Sequence, residues 1–450
     1  MVESLIVQQQ PEGAADEQQQ SGFRAALRHP DYSRLWFGQL VSNIGTAVSA
    51  LALLFYAYDL TGSAMAMAVL AMFEVLPVVV FAGFIGVYVD RWNRKRIMIA
   101  SDIVRAAAII LIPLTVYFPS FTPPIYWVYL LTFIHATANA WFFPARSASI
   151  PNLVGGDELV AANSLSQMTF QVVQLVVPPL GGVLIALLAP NYFLAFAITS
   201  MTFILSAIVL RGISTDLRPR SMYVEYESLR EQIVQGGRYV IGNAVLSFLF
   251  VFAVLLAGSS GILNALLMPY FEGALGFGPA QIGLILSAGA ATGAAAAVYL
   301  SRKSKIEKPL YLIAFAGLLA GVGVFALVIA YDFLSVLLAW AMIGAVDVIL
   351  NIPLSVLMQA LVEDRFRGRV FSLLNVVFTA VQVIGMGIGG VWAEAVGSTG
   401  PPFIGASVVL VFVSLLGFAA IAKLELHSRL AKKDNQSVES TTELPLEVSV

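Results

Sequence analysis

The sequence predicts an all-α membrane protein, twelve transmembrane helices in two pseudo-symmetric six-helix bundles. Three observations predict it. The 450 residues are 59% hydrophobic and only 12% charged, whereas soluble domains carry about 25% charged residues; an ordinary water-facing surface cannot be built from them. Apolar stretches of the ~20 residues needed to cross hydrocarbon recur along the whole chain. A polar interruption of about thirty residues falls midway and divides them equally.

The stretches lie near 35–58, 65–89, 97–118, 124–144, 162–188 and 192–211, then 245–269, 280–300, 309–330, 333–357, 370–395 and 401–423. The ~10-residue alternating segments of a closed barrel are absent. Residues 1–22 are Gln-rich and acidic, without the basic start and apolar core of a signal peptide. They read as a disordered cytoplasmic tail, as do residues 425–450. Between the tails the chain divides into an N-terminal bundle (23–211), a charged linker (212–242) whose second part suits a short surface helix, and a C-terminal bundle (243–424).

Lys and Arg set the orientation. With both termini cytoplasmic, the inside loops collect Arg91, Arg94, Lys95, Arg96, Arg146, Arg302, Lys303, Arg365, Arg367 and Arg369, while the outside loops near 59–63, 119–124, 272–279 and 394–402 hold no basic residue. The expected location is a cell membrane, plasma or inner, with the bilayer as partner. A formal net charge of -2 gives no sign of a nucleic-acid partner, and the absence of cysteine excludes disulfides and thiol catalysis. No cofactor or metal is expected, and no Gly-x4-Gly-Lys-Ser/Thr loop points to nucleotide drive.

The halves repeat. "VYVDR" (87–91) ends the second span and "VYLSR" (298–302) the eighth. "LVGGDELVAANSL" (153–165) follows the fourth and "LVEDRFRGRVFSL" (361–373) the tenth. His135 and Asn139 in the fourth span have the same spacing as Asp347 and Asn351 in the tenth. Repeated halves with a site between them are a transporter architecture.

On these residues the chain resembles the major facilitator superfamily. "GVYVDRWNRKR" (86–96) is similar to its loop signature, with Gly86, Asp90, Arg91, Arg94 and Lys95 matching and Asn93 standing where the family usually has Gly. "LRHPDYSRLWFGQLVSNIGTAVSALALLFYAYDLTGSA" and "FFPARSASIPNLVGGDELVAANSL" resemble the macrolide-efflux and enterobactin-exporter branch. The resemblance implies a monomeric secondary transporter whose halves rock about a central cavity. It places Asn43, His135, Asn139, Asn264, Asp347 and Asn351 near substrate. It also implies that Asp90 meets the N-terminus of the eleventh helix, near Gly368–Val370, when the cytoplasmic side closes. An anion there is favourable by roughly 0.3–1 kcal/mol. The plain alternative is that the basic cluster only orients the loop, which leaves Asp90 unexplained.

Ionisable groups inside spans are costly and are functional candidates by default. Glu74, mid-span and without a charged neighbour at helical spacing, is a proton-coupling candidate or else a structural hydrogen-bonding group. Asp347 and His135 are further coupling candidates, His135 because imidazole titrates near neutral pH. Asp102 and Arg105, three residues apart on one helix face, read as a structural ion pair. Gln167, Gln171 and Gln174 form a polar stripe in the fifth span, with Gln171 and Gln174 as cavity candidates. "VPPLGG" resembles an exporter signature through Pro178, Gly181 and Gly182, although kinks and glycine pairs pack helices in any membrane bundle. The runs "SAGAATGAAAA" and "IGMGIGG" read as packing.

The expected function is proton-coupled export of an amphipathic small molecule such as a drug, macrolide or siderophore. A lipid flippase or a solute importer on the same scaffold is the alternative. A membrane-embedded enzyme would need clustered His, Asp or Ser at the water interface, and the three histidines do not cluster.

Overall fold

Hydrocarbon offers a backbone no hydrogen-bond partner but itself, so each apolar stretch folds as a helix. The computed structural model describes residues 23–117, 124–156, 158–188, 192–219, 229–303 and 308–442. Among them are twelve long helices: α1 (Pro30–Thr61), α2 (Ala64–Val89), α3 (Arg94–Leu111), α4 (Pro124–Leu153), α5 (Leu159–Leu188), α6 (Phe193–Arg211), α7 (Ala244–Met268), α8 (Pro279–Ser301), α9 (Pro309–Ile329), α10 (Phe333–Leu361), α11 (Asp364–Val396) and α12 (Gly400–Thr442). Local chemistry sets their ends. Pro30, Pro279 and Pro309 occupy first turns, where the missing N–H costs nothing. The Ser63, Asn93, Asn243 and Asp332 side chains accept from first-turn N–H groups. Gly62 and Gly397 close α1 and α11 at φ 58° and 66°, a left-handed turn that favours glycine.

Two boundaries, and the apolarity of one span, differ from the sequence prediction. Eleven of the long helices are apolar enough to qualify as spans on composition alone; α4 is as long but carries Thr132, His135, Asn139 and Arg146. Helix α11 starts at Asp364, not near Gly368–Val370. Helix α12 continues to Thr442, past the predicted start of a disordered tail at 425. The α11 extension carries Arg365 and Arg367, and the α12 extension includes Lys, Leu, Glu and Ala. The charged members make both stretches read as loop, although most of these residue types have high helix propensity. Residues 1–22 and 443–450 of the predicted tails lie outside the described residues.

Arg91, Arg94, Arg302 and Arg367, in loops or first helical turns, share one end of the bundle, the basic end. Asp59, Glu272, Asp332 and Glu394 mark the other. The two halves pair through α5 on α8 and α2 on α11. Glycine makes the approach possible: a side chain at Gly182 would strike the Pro279 carbonyl, one at Gly283 the Pro178 carbonyl, and one at Gly390 Ala68. Gly387 faces Met72, and Gly273 abuts Tyr58. All these contacts lie toward the acidic end.

One apolar core crosses the seam there, where Leu51, Phe55 and Met67 pack with Ala265, Ile282 and Met386. At the basic end each half keeps a separate core, one around Leu35, Val89 and Leu153, the other around Leu249, Leu350 and Val370. Gly86 of α2 and Gly368 of α11 have no atom near where a side chain would go. The halves are therefore joined at the acidic end and parted at the basic end.

The linker is shared between them. Ile213 and Leu217 are buried in the N-terminal half, and Ser214 and Thr215 donate backbone N–H groups to Asp31. An amphipathic helix over Leu229–Ile241 packs on the other half, where Tyr239 stacks on Phe366 at 4.5 Å and its hydroxyl accepts from the Glu363 N–H.

Within the C-terminal half, Gly385 abuts the carbonyl of Gly258. Gly385→Leu should lower the unfolding midpoint in detergent, since overpacking costs about 1–3 kcal/mol. Gly86→Leu should leave it unchanged. Equal losses at both positions would contradict this packing.

Candidate functional site

Arg105 of α3 is the largest wholly buried side chain among the described residues, and its surroundings account for it. Its Nη2 donates to Asp102 and, at 2.8 Å, to Ser42 of α1, and its Nη1 donates to Asn139 of α4 at 3.1 Å. The guanidinium also lies 4.4 Å from the Phe142 ring centroid and 4.5 Å from that of Phe203. Four helices thus converge on one cation, with two aromatic rings against it and its charge balanced by one carboxylate. The Asp102–Arg105 pair is buried in the N-terminal half, each charge beside its counter-charge.

His135 belongs to this interior. It is buried, 5.8 Å from Phe203 between ring centroids, and its Nε2 has no hydrogen bond among the described residues. This corrects its expected place on the cavity wall: at position 135 the α4 helix turns toward α6, and Asn139, one turn on, emerges. Asn139 is exposed while holding Arg105, so it joins the enclosed cluster to the space outside it. Asn43 is half-buried on α1, with an unpartnered Nδ2.

The other polar candidates share one geometric rule. At about 100° per residue, a nine-residue step is about two and a half turns and lands on the opposite side of the helix. Asn139, Gln174, Asn264 and Asp347 each stand nine residues from an exposed apolar side chain: Leu130, Val183, Leu255 and Leu338. The apolar members face outward, so the polar members of α4, α5, α7 and α10 face inward, toward the space between the halves. Gln171 and Asn351 lie one turn from their partners on the same faces. Asn351 Nδ2 donates to Asp347 Oδ1 at 2.9 Å, and Asn264 Nδ2 donates to the Ser260 carbonyl at 2.9 Å.

Glu74 is half-buried in α2 and makes no hydrogen bond or ion pair to the described residues. Its helix stacks Phe73 on Tyr129 of α4 and turns Met72 to Gly387 of α11. Pro178 and Gly182 belong to the α5–α8 seam, and Gly181 packs on Leu51 of α1, which is close packing in the ordinary sense.

The basic loop divides its cations. Arg94 Nη1 donates to the Ala148 carbonyl at 2.7 Å and Nη2 lies 3.8 Å from Asp90; Lys95 Nζ donates to the Ile213 carbonyl at 2.7 Å. Asn93 is used as a helix cap, accepting from the Arg96 N–H, a role glycine cannot fill. Arg91 and Arg96 are exposed. With α11 starting at Asp364, the N–H groups of 368–370 lie inside the helix, and the helix N-terminus that the resemblance pairs with Asp90 lies one turn earlier.

Sequence reasoning missed the acidic end. Ser63 Oγ donates across the seam to Glu394 Oε2 at 3.3 Å, Tyr192 donates to Asp59, and Glu272, with an unpartnered buried Oε2, lies within reach of the Asp59 charge. Nothing in the sequence pairs positions 331 residues apart, as 63 and 394 are.

Two six-helix halves with inward polar faces, joined at one end only, define a multi-pass membrane transport protein. The chain belongs to the Major Facilitator Superfamily, whose family model matches residues 35–380. It is 26% identical over 379 residues to macrolide efflux protein A of Streptococcus pyogenes, covering 81% of this chain and 89% of that protein. It is 27% identical over 347 residues to the enterobactin exporter EntS of Citrobacter koseri, covering 75% and 79%. Among solved structures, a point mutant of the nucleoside transporter NupG superposes with a TM-score of 0.70 at 13% identity, over 86% of this chain and 100% of that one. The chain is a transporter and not an enzyme.

Removing one partner of a buried ion pair leaves the other charge uncompensated and costs about 3–5 kcal/mol. Asp102→Leu and Arg105→Met should each lower the unfolding midpoint sharply, and the double variant should lower it less than either. Additive losses would show that the two side chains do not act as a pair.

Proposed function

We propose that this transporter exports amphipathic small molecules in exchange for protons, with its basic end in the cytoplasm. The observation that carries the reading is the inward polar face repeated on α4, α5, α7 and α10, with the carboxylate of Asp347 on it and the halves parted only at the basic end. Substrate enters there and binds against Asn139, Gln171, Gln174, Asn264 and Asn351. The Lys and Arg distribution supports the orientation. The names of the relatives, a macrolide efflux protein and an enterobactin exporter, support export of bulky compounds with mixed polarity.

The cycle follows from differential affinity, since a ligand shifts a two-state equilibrium only by binding the states unequally. Substrate at the inward faces favours closure of the basic end, where Asp90 exchanges Arg94 for the N-terminus of α11. Closure there frees the glycine seam at the acidic end. Asp347 and Glu74 take up protons from that side, substrate leaves, and the protonated carrier returns. Asp347 acts at the binding face. Glu74 acts in α2, the helix that forms the seam.

The test is reconstitution in liposomes holding a pH dye, with macrolides, catecholate siderophores and lysolipids offered in turn. One compound class should trigger proton flux, and Asp347→Asn or Glu74→Gln should cut that flux at least tenfold while substrate binding persists. Compound-linked flux surviving in both variants would remove these carboxylates from the mechanism. Lysolipid transfer without any proton flux would replace the exporter reading with a flippase.

A further inference from the structure

A groove of about 1200 Å³ runs along the outer side of the N-terminal half, away from the space between the halves. It exists because α2 and α3 both lean on α4 without packing along each other. The α4 floor shows the groove's outlook: Ile134 lies one turn from the outward-facing Leu130, on the side of the helix away from Asn139. Phe81 and Val104 form the walls, and Phe133 joins Ile134 on the floor. The lining is nearly all apolar along this stretch and faces the bilayer.

At the basic end the chemistry changes over a few residues. Tyr88, Trp92 and Trp141 form a ring cluster, with centroids 4.8 Å apart for Tyr88–Trp92 and 6.2 Å for Trp92–Trp141. Trp92 is more than half exposed, as rings at a membrane–water boundary are. Above the rings, Arg91 from the α2–α3 loop, Arg96 from the first turn of α3 and Arg218 from the linker reach the same groove. Arg94 and Lys95, their neighbours in sequence, are tied down on backbone carbonyls. Among the described residues no carboxylate lies within ion-pair distance of Arg91 or Arg96. Arg218 has only Asp216, at 3.8 Å in a pair that is about two-thirds exposed, and such pairs hold weakly.

We propose that this groove is a binding site for an anionic phospholipid of the leaflet on the basic side. The phosphate lies among Arg91, Arg96 and Arg218, the glycerol region lies against the aromatic cluster, and an acyl chain lies along Phe133 and Ile134. Charge complementarity selects this occupant. An apolar drug would leave three converging guanidinium groups unused, and a soluble phosphate would leave the apolar length unused. The lateral groove of the other half lacks the feature: lined by Val251, Leu255 and Leu416 among other apolar residues, it carries no cation. The site ties the lipid to the α2–α3 loop and to the linker, the two segments that border the parting of the halves.

Brominated lipids in nanodiscs test this, because bromine quenches nearby tryptophan. At equal mole fraction in a phosphatidylcholine background, brominated phosphatidylglycerol should quench more than brominated phosphatidylcholine. The excess should vanish in the Trp92→Phe/Trp141→Phe variant, which locates it. Arg91→Gln/Arg96→Gln/Arg218→Gln should weaken apparent affinity for phosphatidylglycerol by roughly two orders of magnitude, about fivefold per arginine. In the unaltered chain, raising salt from about 50 mM to about 500 mM should erode the excess, a readout independent of any variant's folding. Equal quenching by both lipids, or an excess that survives the arginine variant, would overturn the site.

Discussion

Backbone-to-backbone contact at glycine is the interaction on which the arrangement of the two halves depends. Lipid tails are as apolar as leucine, so burying leucine between membrane helices gains little, and association relies on close packing instead. Gly182 and Gly283 let α5 and α8 approach until each meets the other's carbonyl, and Gly390 lets α11 rest on Ala68 of α2. These contacts are numerous and individually weak, so they hold one end closed without making closure permanent. The C-terminal half is also packed internally by glycine, Gly385 against Gly258 and Gly344 against Gly289.

The ionisable groups follow from the same solvent. A charge in hydrocarbon survives by enclosure with its counter-charge or by facing a polar space. Asp102 and Arg105 take the first course; four helices and two aromatic rings are organised around the guanidinium, which gives the N-terminal half a polar anchor. Asp347 takes the second, with Asn351 as its only hydrogen-bonded side chain among the described residues. The repeat that aligns positions 135 and 139 with 347 and 351 therefore does not carry equivalent chemistry. His135 serves the interior of one half and Asn139 ties that interior to the shared space, whereas Asp347 and Asn351 both lie on the face toward the shared space.

The same division explains how much was legible in the sequence. Apolar length marks the spans because hydrocarbon imposes it, and glycine runs announce close packing because little else fits. Helix ends at the basic side were less legible. There, charged residues with high helix propensity extend α11 and α12 beyond the hydrocarbon, and hydropathy reads them as loop. The fate of individual cations was not legible at all. Arg91, Arg94, Lys95 and Arg96 look alike in sequence, yet two bind carbonyls of distant segments and two line an outer groove. The Ser63–Glu394 hydrogen bond and the Tyr192–Asp59 contact depend on helices meeting far along the chain, which no local pattern encodes.

The absence of native cysteine makes the central claim, that the two ends open in alternation, directly measurable. Spin labels at Gly156→Cys and Arg302→Cys report the basic end, and labels at Tyr126→Cys and Tyr331→Cys report the other; all four positions are exposed. Pulsed electron–electron distance distributions would be recorded in nanodiscs as pH is lowered and a transported compound is added. The account predicts a population in which the 156–302 distance shortens while the 126–331 distance lengthens, growing together under the same conditions. Distances that move in the same direction at both ends, or do not respond at all, would contradict it.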